Sequence, residues 1–207
     1  MNRTYDYNGV QIAQSRPVQK LRSVKKTVHI NSGDRDVVYP LNGDFVVYLP
    51  RVYENVVSIA ITQAEFPAIT NARLYDQSGV SGIAFTTPLS FFMNFEGLNK
   101  CDETAFGADR SAYVDSVFAK FQVTSETEPI FYTEGSGPEI KEYYRPAISK
   151  LDRLRVSLKL HGSNRILYWP TNFSFSIELE MLENSFDDYS SFETRVADRA
   201  NSGFFGC

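Results

Sequence analysis

Apolar residues in this chain recur at every second position over short runs, and those runs are bounded by turn residues. Phe45, Val47 and Leu49 alternate with other residues, as do Val57, Ile59 and Ile61, so each set falls on one face of an extended strand. Val24–Asn31, Asp44–Leu49 and Val56–Phe66 therefore predict three strands. Tyr39-Pro40-Leu41-Asn42-Gly43 supplies turn chemistry between the first two, and Pro50 and Pro67 close the others. Signals weaken between Asn71 and Asp109, where glycines are spread through the segment and only Leu89–Phe95 predicts a strand. Residues 111–123 fit a helical face through Ala112, Val117, Phe118 and Phe121, and also an alternating strand through Val117, Ala119, Phe121 and Val123. Their β-branched and aromatic content favours a strand over Ser116–Val123. Ile130–Thr133, Leu151–Leu160 and Phe173–Leu182 complete the set.

About eight strands with irregular loops, and no spacing suited to βαβ units, predict an all-β fold: a single antiparallel β-sandwich, best matched by a jelly roll. The pattern also sets the limits of the domain. Residues 1–24 lack a sustained apolar period and predict an extended N-terminal arm; residues 25–183 form the jelly-roll domain; residues 184–207 predict a C-terminal tail.

With 207 residues, the chain is long enough to bury one core without disulfide staples. Its 16 Phe and 12 Tyr suit a folded β-rich domain. The net charge of −4 is unevenly distributed: residues 1–26 carry six basic residues against one acid, giving +5, which leaves −9 for the remainder. Arg3, Arg16, Lys20 and Arg22 make the arm a candidate interface segment that orders on neighbouring subunits. The same charges suit a polyanion such as DNA or an anionic membrane, but no aromatic stacking platform accompanies them. The tail sets Phe186, Tyr189, Phe192, Phe204 and Phe205 among acidic residues, a composition suited to docking on a partner.

Chemistry is sparse. The two cysteines, Cys101 and Cys207, write no disulfide framework and fit a reducing compartment. No apolar run reaches a bilayer-spanning length, and the N-terminus lacks signal-peptide layout, so a soluble protein is expected. His29 and His161 lack clustered partners and read as strand or loop histidines. Nucleophile elbows, Walker loops and dinucleotide fingerprints are missing, so neither catalysis nor a cofactor is expected. The turn Ser32, Asp34, Arg35 and Asp36 offers carboxylates two positions apart, but without further oxygen ligands it reads as structural. In that reading Arg35 pairs with a neighbouring carboxylate, while Ser32 and Asp34 accept backbone N–H groups. Trp169 and several tyrosines near loops supply the basis for a second reading, a carbohydrate-binding module.

The segment Thr27–Pro67 places a strand before a Ser-x-Asp-Arg-Asp turn, then a strand ending in Leu49-Pro50, then Asn55-Val56-Val57-Ser58-Ile59 and a closing Phe66-Pro67. Further on come Phe118-Ala119-Lys120-Phe121, Leu151-Asp152-Arg153-Leu154-Arg155-Val156, the turn His161-Gly162-Ser163-Asn164, and Phe173-Ser174-Phe175-Ser176-Ile177-Glu178-Leu179. In this order the motifs resemble the single jelly-roll capsid proteins of large icosahedral nucleocytoplasmic DNA viruses, over about residues 25–183. Gly33 departs from the pattern, since many such proteins carry Arg there.

The resemblance implies a non-enzymatic virion protein assembled in the host cytoplasm. It implies most directly a penton subunit, forming homopentamers at the vertices and touching major capsid capsomers and minor capsid proteins through its arms. A minor capsid or cement protein beneath the shell is the alternative within the family. Contact with an inner membrane or DNA has no support in the residues.

Overall fold

The computed structural model describes residues 20–75, 88–99, 116–161 and 165–185, with the short strand segments Thr4–Tyr5, Gln11–Ile12, Ser81–Ile83 and Asp102–Glu103. Two compact units emerge, one of Val24–Met181 and one of Met1–Ser23 with Leu182–Cys207. In the second unit, β1 (Thr4–Tyr5) pairs antiparallel with β2 (Gln11–Ile12).

The larger unit is an all-β antiparallel sandwich of jelly-roll-like kind. Its strands are β3 (Lys20–Asn31), β4 (Asp44–Phe66), β5 (Arg73–Tyr75), β6 (Ser81–Ile83) and β7 (Ser90–Phe95). After β8 (Asp102–Glu103) and β9 (Ser116–Val117), which pair with each other, come β10 (Ala119–Gln122), β11 (Ile130–Thr133), β12 (Ile140–Leu160), β13 (Ile166–Tyr168) and β14 (Ser174–Ser185). Ten of these form one hydrogen-bonded network, with order β3-β14-β4-β12-β13-β5-β6, β7 joining β12 and β10, and β11 joining β4.

Two long strands carry the network from one layer to the other. The C-terminal half of β4 lies between β14 (Ile61↔Ile177) and the start of β12 (Ile61↔Ile140), and its last residues also pair with β11 (Phe66↔Ile130). The N-terminal half of β4 pairs with the end of β12 (Phe45↔Val156), which in turn holds β7 (Val156↔Phe95), and β7 holds β10. One layer is thus β3, β14, the end of β4, and β11 with the start of β12. The other is the start of β4, the end of β12, β7 and β10, with β13, β5 and β6 continuing from the end of β12.

Ring contacts between the layers show that they pack face to face. Phe95 of β7 stacks on Phe175 of β14 at 5.9 Å, and Phe66 meets Phe91 edge-on at 4.9 Å. Phe66, Phe91, Phe121, Trp169 and Phe173 form a buried aromatic cluster within the core.

Several boundaries differ from the sequence expectation for local reasons. The strands expected on either side of Pro50 are one strand, β4. Tyr48 pairs with Arg153 and Tyr53 with Leu151, so residues 49–52 bulge opposite a single residue, Asp152. Pro50 sits in that bulge, where the ladder needs no N–H from it. The ladder resumes at Tyr53 and Glu54, and Asn55, between the paired residues Glu54 and Val56, takes φ 53°, a left-handed conformation that asparagine tolerates better than most residues.

The strand expected from Leu151 begins at Ile140. Its first half was hidden by the charged and proline-containing run Lys141–Pro146, whose register shifts between Tyr143 and Ile148. The first domain strand starts at Lys20, inside the expected arm. The expected strand over Ser116–Val123 is split at Phe118 into β9 and β10, and Leu89 stays outside β7, exposed. Alternation at the centre of β4 is incomplete: Ser58, Ile59, Ala60 and Ile61 are all buried, whereas Val57 is only half-buried.

Candidate functional site

The Asp-Arg-Asp turn is built as a clasp between the end of β3 and the segment leading into β14. Ser32, Gly33 and Asp34 form a single 3-10 turn whose first N–H groups need an acceptor. Asn31 provides it, its Oδ1 accepting from the Gly33 N–H at 2.8 Å. Ser32, fully buried, donates its N–H to the Phe173 carbonyl at 2.8 Å, and its Oγ accepts from the Phe173 N–H at 2.9 Å. A side chain at Gly33 would place its Cβ 2.8 Å from Asn172 Nδ2, so the turn packs tightly against that amide.

Arg35 does not pair with a carboxylate as expected. Its Nη1 donates to the Ser32 carbonyl at 2.7 Å and to Asn172 Oδ1 at 3.2 Å, and its Nε donates to the Tyr39 carbonyl at 3.0 Å. The planar fork thereby holds three acceptors that converge on one side of the loop. Asp36, and not Asp34, accepts a backbone N–H, that of Val38 at 3.2 Å, while its own N–H donates to Val46 of β4 at 3.0 Å. Asp34 is exposed.

Arg35→Ala is expected to lower stability by about 1.5–3 kcal/mol, the range for hydrogen bonds made by a charged group. Arg35→Lys should restore only part of that, because an ammonium cannot span the same acceptors. Urea unfolding of the two variants measures this, and an Arg35→Ala midpoint equal to wild type would remove the clasp as a stabilising element.

The clasp leaves two apolar side chains outside it. Val37 is 96% exposed and Val38 71%, on a loop fixed at both ends by Arg35 and Asp36. At the opposite edge of the sandwich, β10 and β11 are the last strands of their layers among the described residues. Between them opens a cleft of about 410 Å³. The buried residues Phe118, Phe121, Ile130 and Ile140 line it, with the largely exposed Phe131 at its side. The buried side chain of Glu142 and the exposed Lys120 and Glu139 supply its polar margin. Tyr132 also borders the cleft; burial raises the pKa of its hydroxyl, which donates to the Pro138 carbonyl at 3.2 Å.

Two ion-pair groups stand elsewhere on the surface. Lys25 donates to Glu178 at 2.7 Å, and that hydrogen bond raises its pKa. Arg155 bridges Asp44 at 3.4 Å and Glu96 at 3.3 Å, with the Asp44 hydrogen bond the main cause of its raised pKa. Both ammonium and guanidinium heads are solvent-accessible, so these pairs are worth little in stability.

His29, in β3, bonds Ser176 Oγ through Nδ1 at 2.7 Å, and His161 lies 6.0 Å from the Phe92 ring; both are exposed. Among the described residues, no group of three or more His, Cys, Asp or Glu is placed to hold a metal ion. Trp169 is buried, with Nε1 donating to the Ala68 carbonyl at 3.1 Å, so it forms no exposed platform on which a sugar ring can stack.

Of the candidate arm residues, Arg22 lies exposed in β3 and Lys20 begins that strand. Arg3, Arg16, Phe186, Tyr189, Phe192, Phe204 and Phe205 fall outside the described residues. Sequence reasoning missed both the exposed valine pair and the cleft. Two consecutive valines directly after the polar run Ser32–Asp36 were a readable signal for the first. The second joins strands distant in sequence and had none. Compared with models of known protein families and with curated proteins, the chain matches none.

Proposed function

We propose that this chain is a structural subunit of an icosahedral viral capsid, a penton protein whose sandwiches stand side by side at the vertices and whose terminal segments reach neighbouring capsid proteins. The observation that carries this reading is where the resembling motifs fall. The Ser32–Asp36 turn is the clasp onto Phe173, Leu49-Pro50 begins the β4 bulge, and Asn55 is the left-handed residue just after pairing resumes at Tyr53 and Glu54. Phe118–Phe121 leads through β10, Leu151–Val156 lies in the shared part of β12, and Phe173–Leu179 opens β14. Residues that look like a family signature thus occupy the joints of the fold, which supports reading the resemblance as more than shared composition.

The test is to find and count the chain in purified virions by quantitative mass spectrometry and to fit its fold into a particle reconstruction. Twelve pentameric vertices require about sixty copies. A much larger number, located beneath the capsomers, would move the chain to a minor capsid or cement role, and its absence from particles would end the reading.

A further inference from the structure

The outer face of the first layer carries a recess of about 390 Å³ where β3, β14 and the end of β4 lie side by side. Alternation decides what lines it. Ile30, Ala64 and Phe175 turn into the core, so their neighbours His29 and Asn31, Gln63 and Glu65, and Ser174 and Ser176 face the other way. Asp34 of the clasp turn joins them. Cross-strand pairing sets these side chains in two rows that run on into β11: Ser174, Glu65 and Phe131 in one, Ser176, Gln63 and Thr133 in the other. Phe131, 69% exposed, therefore stands one strand spacing from Glu65, beside the recess.

We propose that this recess binds a neutral sugar, a hexopyranose whose hydroxyls bond the polar side chains and whose apolar face stacks on Phe131. The lining offers both donors and acceptors, and its internal bonds do not exhaust them. His29 bonds Ser176 Oγ through Nδ1 and keeps Nε2 for a ligand. Ser174 Oγ donates to Glu65 Oε2 at 3.4 Å, a long contact that leaves the carboxylate most of its acceptor capacity. Asn31 Oδ1 accepts from the Gly33 N–H, while its Nδ2 carries two further donors. Gln63 and Asp34 are exposed and make no side-chain hydrogen bond among the described residues. A sugar hydroxyl both donates and accepts, and neighbouring hydroxyls reach both polar atoms of one amide or carboxylate, which is the pattern this lining presents.

Other ligand classes meet a poorer match. An anion would face two carboxylates, Asp34 and Glu65, with no lysine or arginine in the lining. A metal ion lacks its ligands, since no group of three or more His, Cys, Asp or Glu among the described residues is placed to hold one. An apolar side chain would strip water from the amides and carboxylates and return no hydrogen bond. An organic cation would use the carboxylates alone and leave the amides and hydroxyls without a role. The lining also stands on three paired strands, so little backbone freedom is lost when a ligand binds.

Sugar binding stands on these residues whether or not the chain is a capsid subunit. The full isotope-labelled chain is titrated with the methyl pyranosides of glucose, galactose, mannose and N-acetylglucosamine while its amide NMR shifts are followed. At least one of them is expected to give saturable shifts, in the millimolar range, that map to His29–Asn31, Gln63–Glu65 and Ser174–Ser176. Gln63→Ala and Phe131→Ala, both at exposed positions, should each weaken binding by about tenfold or more, whereas Phe131→Tyr, which keeps a ring, should retain it. Tyr48→Ala, at an exposed ring of the other layer, should bind like wild type.

The site is overturned by an absence of saturable shifts with all of these glycosides, by shifts that map elsewhere, or by Gln63→Ala or Phe131→Ala binding as tightly as wild type. Shifts at the recess with calcium ion or L-arginine, and none with the glycosides, would assign it to a cation and overturn it equally. Should either alanine variant misfold, Gln63→Glu and Phe131→Ser carry the same comparison. A chain that binds sugar but is missing from virions would overturn the capsid reading alone. A chain found at the vertices that binds none of these glycosides would overturn the sugar site alone.

Discussion

Replacing Phe66 by alanine is expected to destabilise the sandwich by about 3–5 kcal/mol, the range for emptying a buried phenylalanine site. Phe66 ends β4 and is buried where the two layers meet. Its ring lies 4.9 Å from Phe91, 4.9 Å from Phe121, 5.0 Å from Phe173 and 5.7 Å from Trp169. Each pair adds about 0.5–1.5 kcal/mol beyond the area it buries. The neighbours are rings anchored on separate segments, Phe91 on β7, Phe121 on β10 and Trp169 and Phe173 between β13 and β14, which cannot all slide inward to fill the space. Phe131→Ala, on a largely exposed ring of the adjacent strand, should change stability by no more than about 0.5 kcal/mol and serves as the comparison. Equilibrium urea unfolding reads both. A Phe66→Ala loss under about 1 kcal/mol would mean that the cluster collapses around the vacancy and does not hold the layers in place.

The second large effect is expected at Gly43, for reasons of space rather than backbone conformation. A methyl group there would sit 1.9 Å from the Leu167 carbonyl oxygen, 2.8 Å from its carbon and 2.9 Å from Ile166 Cγ2. Two of those three atoms are backbone, so no rotamer change relieves the contact, and β13 itself must move. Gly43 is also pinned from the other side, its carbonyl accepting the Leu158 N–H at 2.8 Å. Asn42 beside it accepts from the Trp169 N–H at 3.0 Å and donates to the Thr171 carbonyl at 2.7 Å. Gly43→Ala should therefore cost at least the upper end of ordinary overpacking, about 3 kcal/mol, and reduce soluble yield. Melting temperature measures it, and a wild-type value would show that β13 gives way freely at this point.

How much of the molecule was legible depended on whether the deciding interaction was local. Alternation located both halves of β4 because one face of each looks into the core, and the Ser32–Asp36 turn was readable from residues that bond their own neighbours. The continuity of β4 through Pro50 was not readable. It depends on Asp152 lying opposite the bulge, about a hundred residues away in sequence. The start of β12 was obscured for the same reason: Lys141 and Tyr143 look like loop residues until β4 is placed beside them.

The role of Arg35 was half legible. Its position argued for a clamp, but the partners are carbonyl oxygens and the Asn172 amide, supplied partly by a distant segment. Trp169 shows the opposite failure. An aromatic residue beside Pro170 and Thr171 suggests a surface loop, yet the carbonyl of Ala68 gives its indole N–H a buried partner. The cleft lay furthest from view, because its two sides come from strands joined by no local pattern.

The shared ladder of β4 and β12 also bears on how fast the chain reaches this state. Its pairings Asp44↔Ser157 and Ile61↔Ile140 join residues 113 and 79 positions apart, and both layers borrow a half of each strand. Neither layer can be completed before that long loop closes, so the entropy of closure comes before most of the contacts that reward it. Refolding is accordingly expected on the millisecond-to-second scale of non-local β-proteins. Because the layers have these two strands in common, neither should persist alone as a half-folded species, and dilution from urea should return both together in a single kinetic step.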